Sequence, residues 1–164
     1  MGAMGDEGEH HLRHAVLVSR FPGLAQSHFR FTSPPDPSYN CLAFAANETR
    51  RCWHPSAFAG LYWPGGPADD TLQTWIAAFA QLGYRVTDVV DLETGIEKLA
   101  IYADPDFPLH VARQLPNGYW TSKLGPKEDI EHELEGLAGT EYGRVVAILA
   151  RRATPAQTEA ETDR

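Results

Sequence analysis

The sequence has few cysteines, few cations and no long apolar run, and each shortage excludes a class of protein. Its 164 residues contain two cysteines, and 14 Lys and Arg stand against 22 Asp and Glu, which gives a formal charge of −8. A nucleic-acid-binding surface needs a basic face, so we expect no nucleic-acid partner. No segment approaches the roughly 20 apolar residues of a membrane span, so we expect no membrane partner.

The two cysteines, Cys41 and Cys52, are too few for a disulfide framework. If residues 41–50 are helical, the two lie too far apart for a bridge, which needs Cα atoms within about 7 Å. We therefore expect two free thiols and a reducing, cytoplasmic location. The first residues lack a charged segment followed by an apolar stretch, so no signal peptide is expected.

Composition divides the chain into one domain and two polar ends. Residues 1–14 are polar and rich in histidine, and residues 153–164 carry almost no large apolar side chain. Neither end offers enough apolar surface to offset the entropy of ordering it, so both are predicted to be disordered tails. The opening Gly-Ala-Met-Gly run is typical of a cloning remnant. Residues 15–152 are predicted to form a single domain, which suits the length of the chain.

The apolar pattern predicts N-terminal helices packed on a mostly antiparallel sheet, an α+β fold. An Ala-rich stretch at 39–48 predicts a buried helix, capped by Ser38 or Asn40. The i, i+3, i+4, i+7 spacing over 70–82 predicts a second helix, capped by Asp69 or Asp70 and ended by Gly83. Strands are predicted at 84–90, 96–103, 109–115, 119–124 and 144–149. Residues 127–139 are ambiguous.

An Asn-Gly pair at 117–118, between two apolar runs, is a strong hairpin signal and predicts a two-residue turn. That turn would place Arg113 opposite Ser122 across the hairpin. His110 and Ala112 would share one face of the first strand, since side chains alternate along a strand. The small Ala112 would let the first helix approach that face closely.

Cys41 stands at the predicted N-terminus of the first helix, where unpaired N–H groups and the helix dipole favour a thiolate. A thiolate is a nucleophile, and the helix N–H groups or Asn40 could hold an oxyanion. His110, far downstream at the start of a strand, is the expected base of a spatial Cys–His pair. The other interpretation of Cys41 is a small buried hydrophobe. The candidates for orienting the imidazole are Ser122, Lys123 and residues 129–132.

Residues 52–68 form a long loop rich in Trp, Pro and Gly. Loops of this length inside a compact domain are usually functional, so we predict a mobile loop that borders a ligand site. Aromatic side chains that cover an edge of the core are the alternative. Asn40, Trp63 and Trp120 are the residues expected to bind substrate. No paired ligand spacing and no phosphate-binding loop is present, so we expect no metal and no cofactor.

From residue 21 to residue 151 the chain resembles a bacterial family of small proteins described as a domain of unknown function. The motifs that carry this resemblance include Tyr39-Asn40-Cys41, Tyr62-Trp63-Pro64, His110-Val111-Ala112-Arg113-Gln114-Leu115-Pro116, Trp120-Thr121-Ser122-Lys123-Leu124-Gly125, Asp129-Ile130-Glu131-His132 and Tyr142-Gly143. The family match implies no particular activity.

More distantly, the layout is similar to papain-like and NlpC-like cysteine hydrolases. In those enzymes a Cys opens a helix, a His opens a strand, and a polar residue on the next strand orients the His. The resemblance implies a papain-like fold with Cys41 as nucleophile, His110 as base and Ser122 as the orienting residue. The Asn, Asp or His that usually fills the third role is missing from residues 118–125.

Two functions of different classes follow from these observations. The first is a thiol-dependent hydrolase or acyl transferase, such as a peptidase, amidase or deamidase, that acts on a protein or peptide-like substrate. The alternative is a non-catalytic protein-binding or immunity-type module on the same scaffold. Its partner protein would contact the loop at 53–67. Another enzyme class is the third possibility.

Overall fold

A computed structural model describes residues 2–154, which form an α+β fold with one central sheet. Its α-helices are α1 (Gly2–Arg20), α2 (Cys41–Ala45) and α3 (Leu72–Gln81). Its strands are β1 (Phe29–Ser33), β2 (Arg85–Thr87), β3 (Ile96–Ala103), β4 (Pro108–Gln114), β5 (Trp120–Lys123), β6 (Asp129–His132) and β7 (Arg144–Arg152). Short 3-10 helices cover Pro22–Gln26, Ala57–Ala59 and Leu134–Leu137. No helix of this part of the chain is long and apolar enough to cross a membrane.

The sheet has seven strands in the order β1-β6-β5-β4-β3-β7-β2, and all the strand pairs are antiparallel. The predicted α+β class with an antiparallel sheet is therefore confirmed. β3 lies between β4 and β7 and is buried along almost its whole length. The strand that carries His110 is thus anchored to the best-protected part of the sheet.

Each face of the sheet has its own apolar cluster. We call the first the helix face, because α2 and α3 cover it; its members include Phe79, Leu99, Ile101, Val111 and Leu149. The opposite face, called the N-terminal face, packs against α1 and two of the 3-10 helices; its members include Phe21, Tyr102, Ala112, Trp120 and Ile130. Alternation along β3 and β4 assigns successive residues to opposite clusters.

The N-terminal segment differs from the prediction of a disordered tail. Residues 2–20 form α1, and Leu17 from its last turns is only 5% exposed within the cluster of the N-terminal face. Arg13 Nε donates to Glu128 Oε1 at 2.9 Å, and the His14 ring lies 4.7 Å from the Phe29 ring. Polar residues of α1 thus contact residues that are distant in the sequence, Phe29 in β1 and Glu128 just before β6. The predicted tail at 153–164 falls, from residue 155 onward, outside the described residues.

Both predicted helices of the domain are present, with shorter bounds and one different cap. Asn40 caps α2, as one of the two proposed residues. Thr71, rather than Asp69 or Asp70, caps α3, because its Oγ1 accepts a hydrogen bond from the Thr74 N–H at 3.1 Å. Gly83 follows α3 with a left-handed φ of +96°, a conformation that glycine adopts at little cost.

The 108–123 hairpin has a register one residue away from the predicted one. Arg113 pairs with Thr121, not with Ser122. The Leu115 N–H donates to Tyr119 O at 2.7 Å, so the connection is a three-residue loop that ends in Gly118 at φ +90°. A three-residue loop closing through a left-handed residue is a common hairpin connection. Because of this shift, Ser122 points to the face that His110 occupies.

Candidate thiol site at the start of helix α2

The Asn40 side chain fixes the start of α2 and the loop beside it. Its Oδ1 accepts hydrogen bonds from the Ala43 N–H at 3.3 Å and the Trp53 N–H at 3.0 Å. Its Nδ2 donates to Trp53 O at 2.7 Å. The amide that was expected to hold an oxyanion is thereby occupied with capping and bracing, and Cys41 follows it as the first residue of the helix.

Cys41 and Cys52 are both free thiols, as expected. Burial raises the pKa of the Cys41 thiol to about 11, although hydrogen bonds from backbone N–H groups, that of Val111 foremost, act in the opposite direction. The prediction that the helix start stabilises a thiolate is therefore wrong for the resting protein. α2 has only five residues, and desolvation of the charged form outweighs its N–H groups.

The Val111 N–H that contacts Cys41 lies in a part of β4 that is not paired with β5. The described strands β4 and β5 pair only at Arg113 with Thr121 and Gln114 with Trp120. Alternate N–H groups of an antiparallel strand point the same way, so the Val111 N–H points toward β5, as that of Leu115 does. The thiol therefore contacts the peptide bond that joins His110 to Val111.

His110 belongs to a buried chain of three side chains. Its Nε2 lies 2.9 Å from Ser122 Oγ, and the same oxygen lies 2.7 Å from His132 Nε2. His132 Nδ1 lies 2.8 Å from the carbonyl oxygen of Glu133. Both imidazoles are at most 1% exposed, and the Ser122 side chain is fully buried. The structure thus brings together His110 and Ser122, two of the three predicted catalytic residues.

Burial also determines the charge of the two histidines. It lowers the pKa of His110 well below its usual value, and the nearby His132 lowers it further. Burial lowers the pKa of His132 to about 4, against the raising effect of the Glu133 carbonyl and the Glu131 carboxylate. Both rings are therefore neutral near pH 7, and each carries a single N–H.

The direction of each hydrogen bond then follows from the Glu133 carbonyl, at which this series of hydrogen bonds ends. The Glu133 carbonyl can only accept, so Nδ1 of His132 donates and its Nε2 is an acceptor. The Ser122 hydroxyl must donate to that Nε2, which leaves the Ser122 oxygen to accept from His110. His110 carries its proton on Nε2, and its Nδ1 is an unprotonated base.

Cys41 and His110 lie on different sides of the sheet. α2 packs on the helix face, to which Val111 points, whereas the His110 ring lies on the N-terminal face beside Tyr102, 5.5 Å away between ring centroids. The expectation that α2 approaches along Ala112 is wrong, since Ala112 also belongs to the N-terminal face.

Tyr142, which sequence reasoning did not select, is a direct neighbour of His110. Its ring stacks in parallel on the His110 ring at 4.1 Å between centroids. Burial, followed by the charge of Cys41, raises the pKa of the Tyr142 hydroxyl. The Tyr142-Gly143 pair was part of the family resemblance, which is the one signal that could have identified it. The stacking restricts the orientation of the His110 ring.

The other predicted site residues have structural surroundings. Trp63 is 6% exposed in the cluster of the helix face, and Trp120 is 3% exposed on the N-terminal face. Lys123 donates through Nζ to the carbonyl oxygens of Asp36 and Lys127. Substrate binding by the two tryptophans stays a prediction that their burial does not favour. The described residues contain no group of three or more side chains suited to a metal ion.

The fold and this thiol site define a small α+β domain, and comparison with known proteins gives it a family. The chain belongs to the family described as Domain of unknown function (DUF7689), whose model matches residues 30–150. The matched region includes the start of α2, the hairpin and Tyr142. Comparison with curated proteins and with solved structures found no match.

Proposed function

We propose that this domain is a thiol-dependent hydrolase or acyl transferase with a papain-like division of roles. Cys41 is the nucleophile, His110 the base and Ser122 the residue that orients the imidazole. The observation that supports the proposal most strongly is the hydrogen-bond chain from Glu133 through His132 and Ser122, since it leaves Nδ1 of His110 unprotonated. A base with a defined tautomer next to the peptide that contacts a thiol is what nucleophilic catalysis needs.

The reaction begins from a protonated thiol. As the Cys41 sulfur attacks the carbonyl carbon of an amide or ester, Nδ1 of His110 accepts the thiol proton. The tetrahedral intermediate then collapses, the imidazolium returns the proton to the leaving amine or alcohol, and a thioester remains on Cys41. Water, or an amine in a transfer reaction, attacks the thioester with His110 again as base. The free thiols suit a reducing compartment such as the cytoplasm.

Proton transfer to a base is necessary here because the thiol is not ionised in advance. With a pKa of about 11, Cys41 has little thiolate at neutral pH. Ser122 and His132 hold the proton on Nε2 of His110, so that Nδ1 remains the acceptor. When His110 becomes cationic, the Ser122 oxygen stabilises its Nε2–H by a charge-assisted hydrogen bond.

A non-catalytic binding module is the second candidate, and one surface feature favours it. The loop at 53–67 exposes Phe58 fully and Leu61 and Tyr62 partly, next to the buried Trp53 and Trp63. Exposed apolar side chains over an aromatic base are typical of a protein contact surface. If this is the function, a partner protein would cover the loop and the thiol would be inert.

Acylation by p-nitrophenyl acetate separates the two candidates. In a Cys52→Ser background, the enzyme proposal predicts that mass spectrometry of the intact protein finds one acetyl group, which peptide mapping places on Cys41. His110→Gln should slow this acylation at least about 100-fold at pH 7, the contribution of a general base. Equal rates in the two proteins, or no acetyl group on Cys41, would exclude the catalytic pair and leave the binding module.

A further inference from the structure

β2 and the segment that follows it expose several apolar side chains within a short stretch. Within residues 86–92, four apolar side chains are 42–60% exposed, namely Val86, Val89, Val90 and Leu92. Single exposed apolar residues are common on protein surfaces, whereas several together mark a contact surface. We call residues 88–95, which connect β2 to β3, the return segment. Together with β2 it forms a candidate contact surface.

The return segment is held by a buried lysine beneath it. Lys98 of β3 belongs to the N-terminal face by alternation along the strand, and its side chain is fully buried. Its Nζ donates to Val89 O at 2.8 Å and also to Asp91 O. The same Nζ forms an ion pair with Glu93 at 2.9 Å. The lysine therefore fixes the backbone of the return segment against the N-terminal face.

Gln114 of β4 makes a further inward contact. Its Nε2 donates to Val90 O at 3.4 Å, and alternation places Gln114 on the same face as Ala112. The carbonyl groups of three successive residues, 89–91, are thus turned toward the sheet. Because the backbone makes the inner contacts, the side chains of Val89 and Val90 stay at the surface, each 42% exposed.

β2 is the last strand of the sheet and has one free edge. Its residues pair with β7 on one side, and no backbone hydrogen bond joins them to other described residues. Alternate N–H and C=O groups of an edge strand point away from the sheet. Proteins often protect such an edge with lysine or proline, but residues 84–92 contain neither. A strand from another molecule could therefore pair with β2.

The side chains around this edge are apolar and acidic. Asp88 and Asp91 are exposed among the apolar side chains, and Arg85 is the one cation in residues 84–92. The Arg85 guanidinium is directed back to the carbonyl oxygen of Tyr84, to which it donates at 3.2 Å. A surface that alternates apolar and acidic side chains favours a ligand that alternates apolar and basic ones.

We propose that β2 and the return segment bind an extended, basic segment of a partner protein, which adds a strand to the free edge of β2. Backbone hydrogen bonds to β2 provide affinity, and the side chains provide specificity. Apolar side chains of the partner pack on Val86, and its basic side chains approach Asp88 and Asp91. None of these residues belongs to the thiol site or to the loop at 53–67, so this inference goes beyond the proposed function and does not depend on it.

Fluorescence anisotropy of a labelled peptide of four Lys-Val repeats, titrated with the full-length protein, tests the proposal. This peptide should bind, and a peptide of four Glu-Val repeats should bind at least about tenfold more weakly because the acidic surface repels it. A Lys-Val peptide with proline in place of one central valine should also bind at least about tenfold more weakly, since proline cannot donate a hydrogen bond to the edge strand.

Two single substitutions locate the binding surface. Val86→Lys should weaken binding of the Lys-Val peptide at least about tenfold, because it removes an apolar contact and places a like charge opposite the peptide. Phe107→Lys is the matched control, since it makes the same change of charge at a side chain that is 52% exposed between β3 and β4. It should leave the affinity within about twofold, because distant surface charges are screened.

The proposal is overturned if the Lys-Val peptide does not bind, or if the Glu-Val or proline peptide binds as tightly. It is also overturned if Phe107→Lys weakens binding as much as Val86→Lys, because binding would then follow net charge alone. A dimer of the free protein in sedimentation, dissociated by Val86→Lys, would assign the surface to a second copy and reject the partner segment. The peptide series on the unaltered protein decides the matter even if Val86→Lys does not fold.

Discussion

Two buried histidines share one serine hydroxyl, so the protonation of each depends on the other. Ser122 is the only group that both rings contact through nitrogen within the described chain. Its removal leaves the His110 N–H and the lone pair of His132 without partners inside the core. Ser122 therefore combines a structural role with its proposed role in catalysis.

Ser122→Ala should lower the free energy of unfolding by about 2–4 kcal/mol, because each of two buried polar groups loses its partner at roughly 1–3 kcal/mol. Urea unfolding followed by tryptophan fluorescence measures this. Ser19→Ala, the same change on the exposed surface of α1, is the control and should stay within about 0.5 kcal/mol of the wild type. A loss as small for Ser122→Ala would show that water replaces the hydroxyl.

The neutral histidines should also make the protein sensitive to mild acid. Their folded-state pKa values lie below the unfolded value of about 6.5, so the unfolded chain binds more protons and stability is lost as the pH falls below that value. The slope approaches about 1.4 kcal/mol per pH unit for each ring, and for His132 the loss continues to about pH 4. Urea unfolding between pH 7.5 and 4.5 measures it.

His132→Gln provides the control for this pH dependence. It removes one titrating ring, so stability between pH 6.5 and 4.5 should fall less steeply than in the wild type. An identical slope in the two proteins would mean that carboxylates, rather than His132, cause the acid sensitivity.

Part of the candidate site could be predicted from the sequence, residue by residue. Residue type and position selected Cys41, His110 and Ser122, and the last two are in contact. The pKa of Cys41 could not be predicted, because it depends on how completely the fold removes water from the thiol. The contact between Ser122 and His132 could not be predicted either, because it depends on the register of β5 and β6.

At the scale of elements, the hairpin register decides which side chains can meet. With the predicted two-residue turn, Ser122 would share a face with Arg113 and could not reach His110. The observed three-residue loop reverses the face of every residue on β5. The Asn-Gly signal correctly predicted the hairpin, but the loop is one residue longer than the predicted turn. It includes Pro116 and ends in Gly118, which has a positive φ.

Hydropathy predicted the apolar strands and missed the polar ones. The bounds of β3 agree with the predicted 96–103. β6, by contrast, has three polar residues among four, yet all four are buried. Glu131 is kept there by Arg30, His28 and Asn117, partners that come from distant parts of the chain. A pattern based on apolar residues cannot detect a strand whose burial depends on such pairing.

The contribution of α1 to the fold can be tested with two leucines of the same helix. Leu17→Ala should cost about 2–5 kcal/mol of unfolding free energy, because Leu17 is 5% exposed in the cluster of the N-terminal face. Leu12→Ala should cost little, since Leu12 is 65% exposed. Equal, small effects in denaturant unfolding would support the predicted tail instead of a docked helix.

At the scale of the whole molecule, the proposed chemistry depends on two distant parts of the chain. α2 supplies the thiol from the helix face, and the hairpin supplies the imidazole from the N-terminal face. The Val111 N–H, one residue after His110 in β4, contacts the Cys41 sulfur. The central claim is that His110 accepts the proton of a thiol that is otherwise un-ionised.

The pH dependence of Cys41 acylation by p-nitrophenyl acetate, in a Cys52→Ser background, tests that claim most directly. If neutral His110 is the base, the rate should be independent of pH from about 6.5 to 9, because the pKa of His110 lies well below that range. In His110→Gln the residual rate should rise about tenfold per pH unit toward the thiol pKa of about 11. A wild-type rate that rises in the same way across this range would show that the thiolate reacts without His110, and would contradict the account.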